Sequence, residues 1–175
     1  MPLTTYTAGE VLTAASLNAN FAFAATANQV AVFNETQSSG TQGGASVTGS
    51  FLKRVLNTTV TNGITSCTLT SSVISLPAGS YIFSVIAPFF QTNDTQLRLQ
   101  NTTAATTIGI GTNQSVNSTT ASSASITIFS FTTLTTTSNI EVQYQCGAAK
   151  ATNGLGNAAA YGNEIYSQIQ ITKVA

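Results

Sequence analysis

The sequence predicts an all-β protein, an antiparallel jelly-roll sandwich preceded by a short helical and extended anchor. Three observations carry that expectation. Charged residues make up only 6% of the 175-residue chain, and the polar remainder is rich in Thr, Ser, Asn, Gln and Gly, of which Thr suits a pleated, half-buried surface. Several runs alternate apolar and polar residues with the period of two expected of a strand. Gly-, Asn- and Ser-rich turn clusters separate these runs at near-regular spacing, as in sandwiches and jelly rolls.

Residues 1–35 read as a separate attachment segment. Thr4 to Glu10 is an extended polar lead. Thr13 is a suitable N-cap, and Leu12 and Leu17 flank it at the spacing of a hydrophobic staple. Leu17, Phe21, Ala24 and Ala25 then share one helical face, so a helix is expected over about 14–27. A helix this short is marginal alone in water, so it must dock onto a partner or bundle with its own copies. Residues 36–50, from Thr36 to Ser50, have the Gly/Ser/Thr composition of a flexible tether.

The head is expected over 51–175. Ile64 to Leu69 is a weak strand candidate. Leu76-Pro77-Ala78-Gly79-Ser80 is a turn cluster, followed by Tyr81 to Phe90, apolar on both parities apart from Ser84. Gln96, Arg98 and Gln100 alternate with Leu97 and Leu99. Ser125 to Phe131 sets Ile126 and Ile128 against Phe129 and Phe131. Asn139 to Cys146 alternates regularly, with Glu141 facing outward. Glu164 to Val174 closes the chain, with Ile165, Ile169 and Ile171 on one parity. An antiparallel sheet usually turns one face to water, so two strands apolar on both faces imply a second buried surface. The expected subunit interface is Phe83, Ile126, Ile128, Phe129 and Phe131.

Composition also excludes function classes. The chain has no His, and five Lys+Arg balance five Asp+Glu. The commonest general base and metal ligand is therefore missing, and no basic face exists to hold nucleic acid. No cofactor is expected. Glu10, Glu35, Asp94, Glu141 and Glu164 do not read as a catalytic carboxylate pair, and Gly109-Ile110-Gly111 and Gly154-Leu155-Gly156 read as turn glycines rather than a phosphate fingerprint. Lys53-Arg54 reads as a solvated basic collar. No run is long and apolar enough to insert in a bilayer, and the first residues lack the pattern of a signal peptide. Cys67 and Cys146 would pair if the fold brought their strands together and would otherwise be small buried hydrophobes. Asn93, Asn113 and Tyr161 lie in polar loops whose composition suits both a host cell-surface glycan and ordinary solvent-facing loops.

The ordered series Val55-Leu56-Asn57-Thr58, Leu76 to Tyr81, Gln96 to Thr102, Ser125 to Phe129, and Tyr161 to Tyr166 running to Val174 resembles the trimeric jelly-roll head of complement-globular-head and tumour-necrosis-factor-like domains, in the version seen on bacteriophage virions. Tyr6 to Asn18 resembles an opening segment of phage tail, fibre and other virion proteins. The resemblance implies a non-enzymatic homotrimer on the outer surface of a virion. It implies that Val11, Leu12, Leu17 and Phe21 contact another virion protein (capsid, tail or baseplate) or sister chains. No long shaft follows the segment, which points to a short fibre for host attachment or a capsid decoration knob. A tail-associated glycan-binding or depolymerase-like protein is the alternative.

Overall fold

The computed structural model describes residues 5–11, 13–26 and 29–174, the helix side chains of 21–26 excepted. One helix, α1 (Ala14–Thr26), precedes twelve strands: β1 (Gln29–Gln37), β2 (Leu52–Lys53), β3 (Thr58–Asn62), β4 (Thr68–Thr70), β5 (Val73–Leu76), β6 (Gly79–Phe90), β7 (Asn93–Asn101), β8 (Thr106–Ile110), β9 (Gln114–Val116), β10 (Ser123–Leu134), β11 (Ser138–Cys146) and β12 (Glu164–Val174). Thr13 caps the helix as expected: its hydroxyl accepts the Ser16 amide at 3.2 Å.

The strands form two antiparallel sheets. One has the order β10-β6-β12-β1-β3; the other has β4-β5-β11-β7-β8, with β2 added to β11 and β9 to β7. Alternation explains which side chains meet between them. Tyr81, Phe83, Val85, Ala87 and Phe89 of β6 are buried at successive odd positions, facing Leu97 and Leu99 of β7 and Ile140 and Val142 of β11 in one core. The opposite parity of β7 and β11 carries Gln96, Arg98 and Gln100, and Glu141, Gln143 and Gln145. The fold is thus the antiparallel jelly-roll sandwich that the alternation predicts.

The expected domain boundaries do not match the sheet. β1 is an integral strand, paired with β12 from Gln29↔Lys173 to Gln37↔Glu164, and its Ala31 and Phe33 are fully buried. The head therefore begins at Gln29, not at 51. Residues 36–50 are not a loose tether either. The amides of Gly43, Gly44 and Ser46 donate to the carbonyls of Gly156, Thr152 and Lys150, and Tyr166 Oη donates to Thr41 O at 2.6 Å. This stretch is a strap held along the 150–156 loop, with Ser46 itself buried. The expected strand over 64–69 is instead a turn leading into β4, with Ile64 and Cys67 buried beneath it.

Cys67 and Cys146 are both free and buried, so the hydrophobe alternative holds. Burial pushes the Cys67 thiol up to about 11, which keeps it protonated and unreactive. Gly109 and Gly111 are close-packing glycines rather than turn glycines. A Cβ on Gly109 would lie 2.8 Å from Ser130 Cβ, and one on Gly111 would meet Ile126 Cγ2 and the Thr127 carbonyl, so β8 crosses β10 at a distance only glycine permits.

Candidate functional site

The first candidate surface is the outward face of the β10-β6-β12-β1-β3 sheet. Register assigns its rows. Phe131 lies opposite Ile82 and Phe129 opposite Ser84 across β10 and β6. Ser84 lies opposite Gln170 and Ile86 opposite Gln168 across β6 and β12. Gln170 in turn lies opposite Val32 of β1. No position in these rows carries a charge. Phe129 is 78% exposed, Phe131 61% and Ile82 48% in the single chain. Two phenylalanines and two isoleucines thus stand in solvent on one uncharged sheet face. Such a patch marks an interaction surface.

The five expected interface residues divide between the two faces. Phe129 and Phe131 lie on this open face. Phe83, Ile126 and Ile128 do not: each is at most 1% exposed, sealed inside the sandwich by the parity of β6 and β10. They build the core of one subunit and cannot touch another. Ile82, Ile86, Gln168 and Gln170, absent from the expected set, share the open face with Phe129 and Phe131. The signal lay in the sequence: Ser84 and Thr127 interrupt the parity that faces out, while the inward parity of β6 is wholly apolar.

The anchor residues are only partly described. Val11 is 83% exposed and Leu17 40%, both open to a partner. Leu12 and the Phe21 side chain lie outside the described residues.

A second surface lies on the opposite side of the sandwich. Asp94, Thr95, Gln96, Asn113, Gln114, Ser115, Gln145, Cys146 and Gly147 line an open groove of about 650 Å³. Of the three expected receptor-loop residues, Asn113 lines it, and Asn93 sits beside Gly147 at its edge. Tyr161 is 99% exposed on a separate loop and is not brought to it. The amide–amide bond from Gln96 Nε2 to Asn113 Oδ1 measures 3.0 Å.

Two carboxylates have structural work that composition did not reveal. Arg54 is fully buried, not a collar residue. Its Nε donates to Ser167 Oγ at 2.7 Å and its Nη2 to Leu155 O at 2.9 Å, while Nη2 lies 3.4 Å from Glu35 Oε2 and the guanidinium stacks 5.3 Å from the Phe89 ring centroid. The cluster ties β1, β12 and the 150–156 loop to one cation. Burial lowers Arg54 to about 10, with Glu35 acting against the shift, so it stays charged at neutral pH. Burial raises the Glu35 pKa above its usual value, outweighing the attraction of Arg54 and the Ser167 hydrogen bond. Glu164 behaves oppositely. Its carboxylate accepts the amides of Gly40 at 2.9 Å, Ala159 at 3.1 Å and Ala160 at 2.7 Å, and these bonds, Gly40's foremost, hold it below the usual carboxylate range. Glu164 clasps the strap to the 157–163 loop.

No protein-family model matches the sequence, and no curated protein is similar to it. Solved structures are similar in fold. Murine APRIL at pH 5.0 superposes with a TM-score of 0.57 at 12% identity, over 84% of this chain and 99% of that one. Eiger TNF from S. frugiperda gives 0.53 at 16% identity, over 85% and 94%. The fold is a TNF-like jelly roll. PRD1 vertex protein P5 shares it with a TM-score of 0.50 at 17% identity, over 84% of this chain and 97% of that one. At these identities the likeness is one of architecture.

Proposed function

We propose that this protein is a non-enzymatic structural knob displayed on a bacteriophage particle, a homotrimer of jelly-roll heads held by their N-terminal segments. The observation that carries the reading is the uncharged face bearing Phe129, Phe131, Ile82 and Ile86. Left in water, that face would make a free monomer prone to association; self-association conceals it. Three-fold symmetry is what the sequence resemblance implies, and a vertex protein of the phage PRD1 shares the architecture. The described residues before the first strand, 5–11 and 13–26, have no place in either sheet. The segment is available to dock on a capsid, tail or baseplate protein through Val11, Leu12, Leu17 and Phe21. Each buried side chain of that size contributes roughly 1.5–3 kcal/mol. Three linked copies raise the local concentration, so a weak single contact becomes a firm one.

The test is to image particles carrying a label on this chain. Three-fold projecting density at the labelled position is the expected result. Absence of the chain from purified particles would overturn the virion assignment. Particles assembled with a chain lacking residues 1–28 should lose the projection.

A further inference from the structure

We propose that the groove on the outer face of the β11-β7-β9 region is a binding site for a neutral saccharide, gripped through a pair of adjacent hydroxyls. This inference rests on the surface-knob reading, because it names what such a knob would grip. The groove and the apolar face lie on opposite sides of the sandwich, so a trimer closed through that face would still display three grooves.

Register builds the site. Gln145 lies directly opposite Gln96, whose amide reaches Asn113 at the start of the neighbouring strand β9. One row therefore carries three amides across the sheet. In the adjoining row, Asp94 lies opposite Ser115, and the Gly147 amide donates to Asp94 O at 2.8 Å. Gly147 leaves a notch here, where a Cβ would stand 3.4 Å from Asn93 Cβ and 3.5 Å from the Asp94 backbone nitrogen.

The hydrogen-bonding balance selects the ligand. Gln96 Nε2 donates to Asn113 Oδ1 and Gln145 Nε2 to Gly49 O, and each NH₂ keeps a second N–H. The Asn113 and Gln114 amides, the Ser115 hydroxyl and the Asp94 carboxylate share the lining. The groove therefore offers both donors and acceptors without a cation, and the fitting ligand is a neutral polyol, whose hydroxyls do both. A carboxylate accepting two adjacent hydroxyls makes the stronger, charge-assisted kind of bond.

Other ligand classes fit poorly. No Lys or Arg lines the groove. Arg98, in the next row of the ladder, donates to Gln143 Oε1 at 2.8 Å and stacks 3.8 Å from the Phe51 ring centroid. Asp94 is the sole carboxylate on the lining, and no cluster of three metal-ligating residues occurs among the described residues. The lining carries no large apolar side chain that would hold a lipid or an aromatic ring.

The experiment titrates the full-length protein with galactose, glucose, mannose and N-acetylglucosamine at millimolar concentration. Side-chain amide NMR signals are read, with sialic acid and spermidine as charged controls. At least one neutral sugar should give saturable shifts at Gln96, Asn113 and Gln145. Asp94→Asn should weaken that binding about tenfold or more, the cost of a charge-assisted contact. Gly147→Val, whose added Cβ meets Asn93 Cβ only at an ordinary 3.4 Å, should fill the notch and abolish the shifts while the protein stays folded. Shifts with spermidine alone, or none with any of the four sugars, overturn the proposal. Sugar shifts on a protein of monomeric mass would uphold the groove and refute the trimer, so the two readings fail separately.

Discussion

Replacing Phe129 and Phe131 together by Ser separates assembly from folding. Both rings stand in solvent in the single chain, 78% and 61% exposed, so their loss removes almost no intrachain packing. In a trimer closed through this face, the two rings together would contribute roughly 3–6 kcal/mol per chain. Summed over three chains, that is roughly 9–18 kcal/mol of association free energy. The concentration at half-dissociation of a trimer varies as the square root of its dissociation constant. At about 1.4 kcal/mol per factor of ten, the midpoint should rise by about three to six orders of magnitude. Sedimentation velocity across a concentration series reads this directly, and far-UV circular dichroism checks that the sandwich survives. The expected variant is a folded monomer at micromolar concentration. As a control, Phe83→Ala on the opposite parity should cost about 3–5 kcal/mol of folding stability and lower the melting temperature of the subunit. If the double variant keeps the wild-type association midpoint, the face is not the interface.

Three further outcomes are expected. Arg54→Met should destabilise the fold by about 3–5 kcal/mol, because it strands Glu35 in the interior; the double variant Glu35→Gln/Arg54→Met should recover much of the loss, measured by urea unfolding of all four members of the cycle. In acid, the depressed Glu164 pKa supplies stability that is present above the ordinary value of 4.5 and lost as pH falls through the folded-state value. Glu164→Gln should flatten melting temperature against pH below that point, whereas Glu35→Gln should flatten it above, because the raised Glu35 pKa favours the fold at low pH and loses that contribution as pH rises. Deleting residues 1–28 should leave a folded head, while deleting 1–35 removes Ala31 and Phe33 from the core and should unfold it; proteolysis and circular dichroism distinguish the two.

What the sequence revealed of this fold follows from where side chains carry the signal. The bounds of β12 were legible from its isoleucines, but not its facing: Ile165 is exposed while Ile169 and Ile171 are buried, because a register shift opposite Asn34 and Thr36 breaks the parity. β7 and β11 were legible because Leu97 and Leu99, Val142 and Tyr144 alternate with amides and charges. β1 was not, because Asn34 and Glu35 are buried polar residues in its second half and break the alternation. The partners of Glu35, Arg54 and Ser167, lie 19 and 132 positions away, so nothing local marks it as interior. The strap misled for a related reason. Its order comes from backbone amides of Gly43, Gly44 and Ser46, which leave no trace in residue type. The exposed apolar face on β6 and β10 was legible as an excess of apolar residues, but its parity required weighing Ser84 and Thr127 against Phe129 and Phe131. Within the groove, composition marks Asn113 as a polar loop residue. Alternation marks Gln96 and Gln145 only as outward strand positions, because their meeting depends on the β7–β11 register.

The most direct measurement of the central claim is the mass of the intact protein by native mass spectrometry at micromolar concentration. Burial of the uncharged sheet face between copies predicts a single species at three times the 18.0 kDa chain mass. A monodisperse 18.0 kDa species would contradict it.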